Sequence, residues 1–210
     1  MKDTLYKSNP SIRIAFQLSA PYLSVLLFWV GLKNAWLTIL CYHLLILITS
    51  AGRVPTDINR IKCGWNCGIF WSLLPWFAGT GLILYYTMPI MCTVEIGVWL
   101  SRYNLDNLAF LLMIPYFGIV HPLLEQIHWT SLSQSRVNQW LIDISFSGYH
   151  LIVLWGLLKL PWLIITGIIL VAASRTWFLL AKKTGENIVM NIILHLAADT
   201  GIIIAAGLRA

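Results

Sequence analysis

Apolar runs long enough to cross a bilayer follow one another along this chain, separated by short polar punctuation. A hydrocarbon core ~30 Å thick takes about 20 helical residues, and the runs are marked out against that length. Residues 1–11 are a polar, basic lead-in. The first two runs cover residues 12–32 and 35–50, joined by a tight turn at Lys33-Asn34. Residues 52–65, with Arg53, Pro55, Asp57, Arg60 and Lys62, form the longest polar stretch and read as a loop with room for a short interfacial helix. The third run, 66–92, holds Pro75 and Pro89, which predict a kink or a break into two pieces. A short connection through Arg102 and Asp106 leads to the fourth run, 107–129, bent by Pro115 and Pro122. The polar string SLSQSR precedes the fifth run, 137–158, and Lys159-Leu160-Pro161 turns the chain into the sixth, 161–181. Lys182-Lys183-Thr184-Gly185 ends that run, and the seventh covers 186–208. The pattern predicts an all-α, polytopic membrane helix bundle of seven transmembrane helices, or eight if the third run is two. Small residues at 172–174 and 201–207 suit close helix packing. No internal repeat, low-complexity tract or soluble domain interrupts the series.

Composition agrees with this reading. Hydrophobic residues make up 59% and charged residues 10%, where a soluble domain carries about 25% charged. The mean hydropathy is +0.77. Eleven tryptophans are expected largely at segment ends, where indole anchors among headgroups. With seven spans and a cytoplasmic N-terminus, ten basic residues fall inside: Lys2, Lys7, Arg13, Arg53, Arg60, Lys62, Arg136, Arg175, Lys182 and Lys183. Lys33, Arg102, Lys159 and Arg209 fall outside. That bias fits the positive-inside rule and an inner (plasma) membrane of bacterial type. The net charge of +6 is explained by loop bases at anionic lipid. There is no basic run to suggest nucleic acid. Cys41, Cys63, Cys67 and Cys92 lack a zinc or redox spacing and read as small apolar side chains. The first apolar run is too long for a signal-peptide core and lacks a convincing cleavage site, so a retained span is expected.

Ionisable groups inside the apolar runs break this pattern. Residues 121–129, HPLLEQIHW, place His121, Glu125 and His128 at i, i+4 and i+7, on one helical face. Such groups cost at least ~2.5–3.5 kcal/mol each in a membrane helix and mark functional sites. Phe146 and His150 in the fifth run, and His195 and Asp199 in the seventh, are further pairs one turn apart. Three helices are therefore expected to converge on one buried polar site. Desolvation suits Glu125 to act as a general base near neutral pH, and Asp199 can fix the tautomer of His195. Asp199 and Asn191 also fit a role as helix–helix glue. His128 adjoins Trp129 near the membrane surface, where it can snorkel. His121 can donate to the site from beside Pro122. His43 has no evident partner and reads as structural.

The order Pro122-x-x-Glu125, Phe146-x-x-x-His150 and His195-x-x-x-Asp199, each on its own span, resembles the CAAX protease and bacteriocin-processing family of intramembrane glutamic proteases. The resemblance covers residues 107–210 as a core domain, with 1–106 as N-terminal transmembrane helices and loops of the same membrane unit. It implies that Glu125 activates a water held with His150, while His195 and Asp199 form the oxyanion side. His195 is the expected donor there, because Asp199 can donate only when protonated. Gln126 stands where the family has a second glutamate, and Thr130 where it has an arginine, so one charge of each sign is lost together.

Three functions compete at this point. The first is an endopeptidase cutting a membrane-associated protein or peptide near the membrane face, without a cofactor. The second is a non-catalytic subunit or scaffold of a larger membrane complex that keeps the fold. The third is a zinc site on Glu125, His150 and His195, with His121 or Asp199 as a fourth ligand. The C-terminal GLRA is not itself a CAAX box.

Overall fold

A computed structural model describes residues 10–50, 67–135, 137–184 and 188–210. The polar stretch 52–65 and the basic residues Lys2, Lys7, Arg53, Arg60, Lys62 and Arg136 lie outside the described residues. So does most of the charge bias read from the sequence.

The described chain is helical, as expected where no water is at hand to satisfy backbone groups and each run must bond internally. Helix α1 spans Pro10–Ser24 and continues as a π-helix over Val25–Gly31. Helix α2 spans Ala35–Ser50, and the turn before it falls at Lys33-Asn34 as expected. Lys33 takes φ +52°, and the Asn34 Oδ1 accepts from the Leu37 N–H at 2.9 Å, capping α2. Helix α3, Cys67–Met91, is one continuous helix through Pro75 and Pro89, so the third run is not two pieces. Helix α4, Ile96–Arg102, is a short element in the stretch whose sequence predicts a plain connection.

Helices α5, Asn107–Pro115, and α6, His121–Ser133, are joined end to end by a π-helical turn, Tyr116–Val120. Then follow α7, Gln139–Leu154, α8, Leu160–Lys183, and α9, Val189–Arg209. Five of these stretches are long and apolar enough to cross a membrane: Ile12–Gly31, Gly68–Met91, Asn107–Ser133, Leu160–Lys183 and Val189–Arg209. The chain is an integral membrane protein on that ground. Helix α2 is shorter and apolar, and α7 carries Asp143 and His150.

Helix α9 packs along α3 and against α6 and the π-turn, α2 packs on α1 and α6, and α7 on α8. Gly81 and Gly201 set the α3–α9 contact. A Cβ added at Gly81 would stand 2.4 Å from the Gly201 carbonyl oxygen, so the two backbones touch. The small residues of 201–207 thus serve the packing expected of them. Tryptophan use is divided. Trp71, Trp76, Trp140 and Trp155 are exposed, while Trp29, Trp99, Trp129 and Trp177 are buried in the core. Trp29 stacks on Tyr103 at 3.7 Å between centroids and lies 5.3 Å from Trp99.

Gly81→Val is expected to force α3 and α9 apart and to destabilise the bundle by about 1–3 kcal/mol. Gly79→Val, whose Cβ meets nothing within 4 Å, should leave it unchanged. Thermal midpoints of the two variants in detergent check this difference.

Candidate functional site

The π-turn explains how α6 aims its polar face inward. Pro122 has no N–H, so the carbonyl four residues earlier, that of Gly118, loses its usual helical donor. The Thr200 hydroxyl of α9 donates to that carbonyl at 3.3 Å. A Cβ at Gly118 would lie 2.7 Å from the same hydroxyl oxygen. The π-turn is therefore stitched to α9 at the level of Asp199 and His195. Below it, His121, Glu125 and Gln126 are all buried.

Glu125 is fully buried, and its two oxygens have different surroundings. Oε1 accepts from the Tyr42 hydroxyl of α2 at 2.7 Å and from the Tyr149 hydroxyl of α7. The Trp129 indole N–H reaches it at 3.5 Å. Oε2 makes no hydrogen bond among the described residues. It faces the Nε2 of His121 at 3.5 Å and the Nε2 of His195 at 3.7 Å. One oxygen is saturated by phenols, and the other is left for chemistry.

The partners of each imidazole fix its protons. His150 Nδ1 lies 2.7 Å from the Phe146 carbonyl, which only accepts, so Nδ1 carries the hydrogen and Nε2 keeps its lone pair. The Tyr149 hydroxyl, 3.2 Å from that nitrogen, has one proton to share between it and Glu125 Oε1. His195 Nδ1 receives the Gln126 amide at 3.1 Å. Its Nε2–H then points between Asp199 Oδ2, at 3.3 Å, and Glu125 Oε2. The nitrogen expected to donate to an oxyanion is thus the one that Asp199 holds.

The expected residues assemble as follows. Glu125, His150, His195 and Asp199 meet, with His121 in direct contact with Glu125 and Gln126 on His195. Phe146 is buried and serves through its carbonyl, its ring packing edge-on to Trp129 and Trp177. His128 does not snorkel. It is fully buried, edge-on to Trp129 and Tyr42, because α6 runs on to Ser133 and keeps it below the helix end. His43 is not partnerless: its Nε2 lies 3.0 Å from His121 Nδ1 and its Nδ1 2.8 Å from the Tyr116 hydroxyl. Asn191 binds the Trp177 carbonyl at 2.9 Å, the glue role foreseen for it.

Tyr42 and Tyr149 escaped the sequence reading. A phenol in an apolar run needs an acceptor, which was the available signal. Asp143 escaped it too. This buried carboxylate accepts from Gln139, Ser174 and Arg175, each at 2.7 Å, while the Arg175 guanidinium lies 4.0 Å over Trp140. It clamps α7 to α8 two turns from His150 and fixes that histidine in place.

A metal would find a different donor set from the one expected. His121, Glu125 and His150, not His195, bring ligand atoms within 4.8 Å of one another. Donors on a tetrahedral zinc with bonds of about 2.0 Å stand about 3.3 Å apart, so the group would have to contract to close on the ion. A cavity of about 30 Å³ opens beside the site, lined by Gln126, Trp129, Thr130, Trp177, Lys182 and Asn191 among others. It has room for a water or two, and Gln126 lies between it and His195.

No family model, curated protein or solved structure matches the chain.

The carboxyl also supports the fold. Glu125→Gln retains an acceptor for both phenols, while its NH2 meets the His121 and His195 nitrogens, and it should melt closer to the parent temperature than Glu125→Leu. Glu125→Leu orphans Tyr42 and Tyr149 and should cost about 1–3 kcal/mol per phenol. Detergent melting curves of the two variants separate these outcomes.

Proposed function

We propose that the chain is an intramembrane glutamic-type endopeptidase, akin to the CAAX protease and bacteriocin-processing family. It would hydrolyse a peptide bond of a membrane-associated substrate near one membrane face. One observation carries the reading. A buried carboxylate has one oxygen anchored by phenols and the other free, within reach of imidazoles from α6 and α9 and beside the bare Nε2 of His150.

In this mechanism Glu125 Oε2 takes a proton from a water that His150 Nε2 helps to hold, and the hydroxide attacks the scissile carbonyl. The O–H bond breaks as the new C–O bond forms, and the proton passes from Glu125 to the departing amine. Once Glu125 Oε2 has taken up the proton it no longer attracts the His195 Nε2–H, which then turns from between Asp199 and Glu125 to donate to the oxyanion. Water enters through the cavity beside Gln126, at the α8 end that carries Lys182. With the N-terminus cytoplasmic in a bacterial-type inner membrane, that end faces the cytoplasm. The lipid bilayer and a membrane-anchored protein or peptide are the partners. Neither zinc nor another cofactor takes part.

A second reading is favoured by a specific observation. Glu125 is fully buried and does not line the cavity, whose wall includes Gln126, at the position where the family motif has its second glutamate. A chain closed there is a non-catalytic membrane subunit or scaffold that keeps the fold.

Glu125→Gln and His150→Ala are each expected to lower cleavage at least about a hundredfold while the protein stays folded. The readout is the set of new peptide termini in membranes expressing the parent or each variant. Identical termini in parent and Glu125→Gln membranes would leave the scaffold reading. Cleavage should also survive exhaustive chelation, with metal analysis of the purified protein finding less than one zinc per chain; a stoichiometric, chelator-sensitive zinc would move the assignment to the metal site.

A further inference from the structure

We infer that His43 of α2, with Tyr116 of the π-turn behind it, is a positioning residue of the same site: it sets the tautomer of His121 and thereby the donor aimed at Glu125 Oε2. This role rests on the reading of Glu125 as the base; the tautomer coupling beneath it does not.

Glu125 Oε2, when ionised, can only accept, so the His121 Nε2 that faces it at 3.5 Å carries the hydrogen. A neutral His121 then has a bare Nδ1, and the nitrogen 3.0 Å away, His43 Nε2, must donate to it. A neutral His43 in turn has a bare Nδ1, to which the Tyr116 hydroxyl donates at 2.8 Å. Both bonds in the series, Tyr116 to His43 and His43 to His121, point toward the carboxylate, and bonds aligned in this way polarise one another.

The packing holds the rings to this register. His43 and His121 stack at 5.3 Å with planes 30° apart, and Phe117 stacks on the other side of His121 at 4.8 Å and 17°. His43 also stacks on Tyr116, 5.4 Å away. Tyr116 and Phe117 both belong to the π-turn, so the irregular backbone before His121 supplies the end of the series as well as its packing. His43 and His121 are buried, and Tyr116 is half-buried at the outer end. The series lies on the α2 side of Glu125, while the cavity lies on the α8 and α9 side. It therefore supports the base without obstructing the route for water.

Nitrogen-15 spectra of the histidine-labelled full chain in detergent test the coupling without reference to turnover. In the parent, His121 is expected as the single tautomer with protonated Nε2 and bare Nδ1, identified by its loss in His121→Gln. His43→Phe should release His121 into a mixture of tautomers. His43→Gln, whose amide can still donate to Nδ1, should restore the single form. In cleavage assays His43→Phe should lower kcat about tenfold, the loss expected for one buried neutral hydrogen bond, with KM nearly unchanged and recovery in His43→Gln. A parent His121 with bare Nε2 overturns the inference even if His43→Phe does not fold, and so does a His121 tautomer that ignores the His43→Phe change. Intact tautomer coupling with no Glu125-dependent cleavage would instead remove the protease reading alone.

Discussion

A carboxylate inside a membrane bundle has no water to lean on, so protein donors must satisfy it. The arrangement around Glu125 follows from that constraint. Two phenols from α2 and α7 serve one oxygen, and imidazoles from α6 and α9 face the other. Each donor arrives on a different helix, so the carboxyl acts as a fastener among four elements. Polar groups elsewhere in the bundle support this centre. Thr200 holds the π-turn before α6 to α9, and the Asp143–Arg175 pair holds α7 to α8.

The difference between the two oxygens matters more for chemistry than the burial itself. A carboxylate saturated on both sides would be a structural tie and nothing else. Here Oε1 carries the structural load and Oε2 is held among nitrogens without a committed hydrogen bond. His150 adds an unprotonated nitrogen because its other nitrogen is spent on the Phe146 carbonyl. That division of labour, a fixed half and an available half, is what a buried general base requires.

Gln126 is the residue on which the competing functions turn. A glutamate at this position would bring a second negative charge beside His195, and the neutral Thr130 one turn on would not balance it. The neutral amide instead donates to His195 and leaves its Nε2–H directed at Asp199 and Glu125. The neutral amide thus sets the order of protons around His195. The same amide borders the cavity, so it also sets how close bulk water comes to the buried carboxyl.

The hydrophobic spacing was enough to locate the helices, since seven apolar runs became α1, α2, α3, the α5–α6 rod, α7, α8 and α9 within a few residues at each end. The ionisable residues in those runs likewise marked Glu125, His150, His195 and Asp199, because a polar group is conspicuous where its neighbours are all apolar. Three features were not legible. The continuity of α3 through two prolines, the short helix α4 and the burial of His128 depend on how the helices pack. Tyr42, His43 and Asp143 gave weak signals, because periodicity shows which face of a helix a residue occupies and not which helix lies opposite. Their partners stand 83, 78 and 32 positions away in the chain, and only the packing of α2 against α6 and of α7 against α8 brings them within bonding distance. The residue types that could form a site were settled by the chain itself; which oxygen stays free, and which nitrogen bears each proton, was decided by tertiary structure, because hydrogen-bond direction is a property of pairs in space.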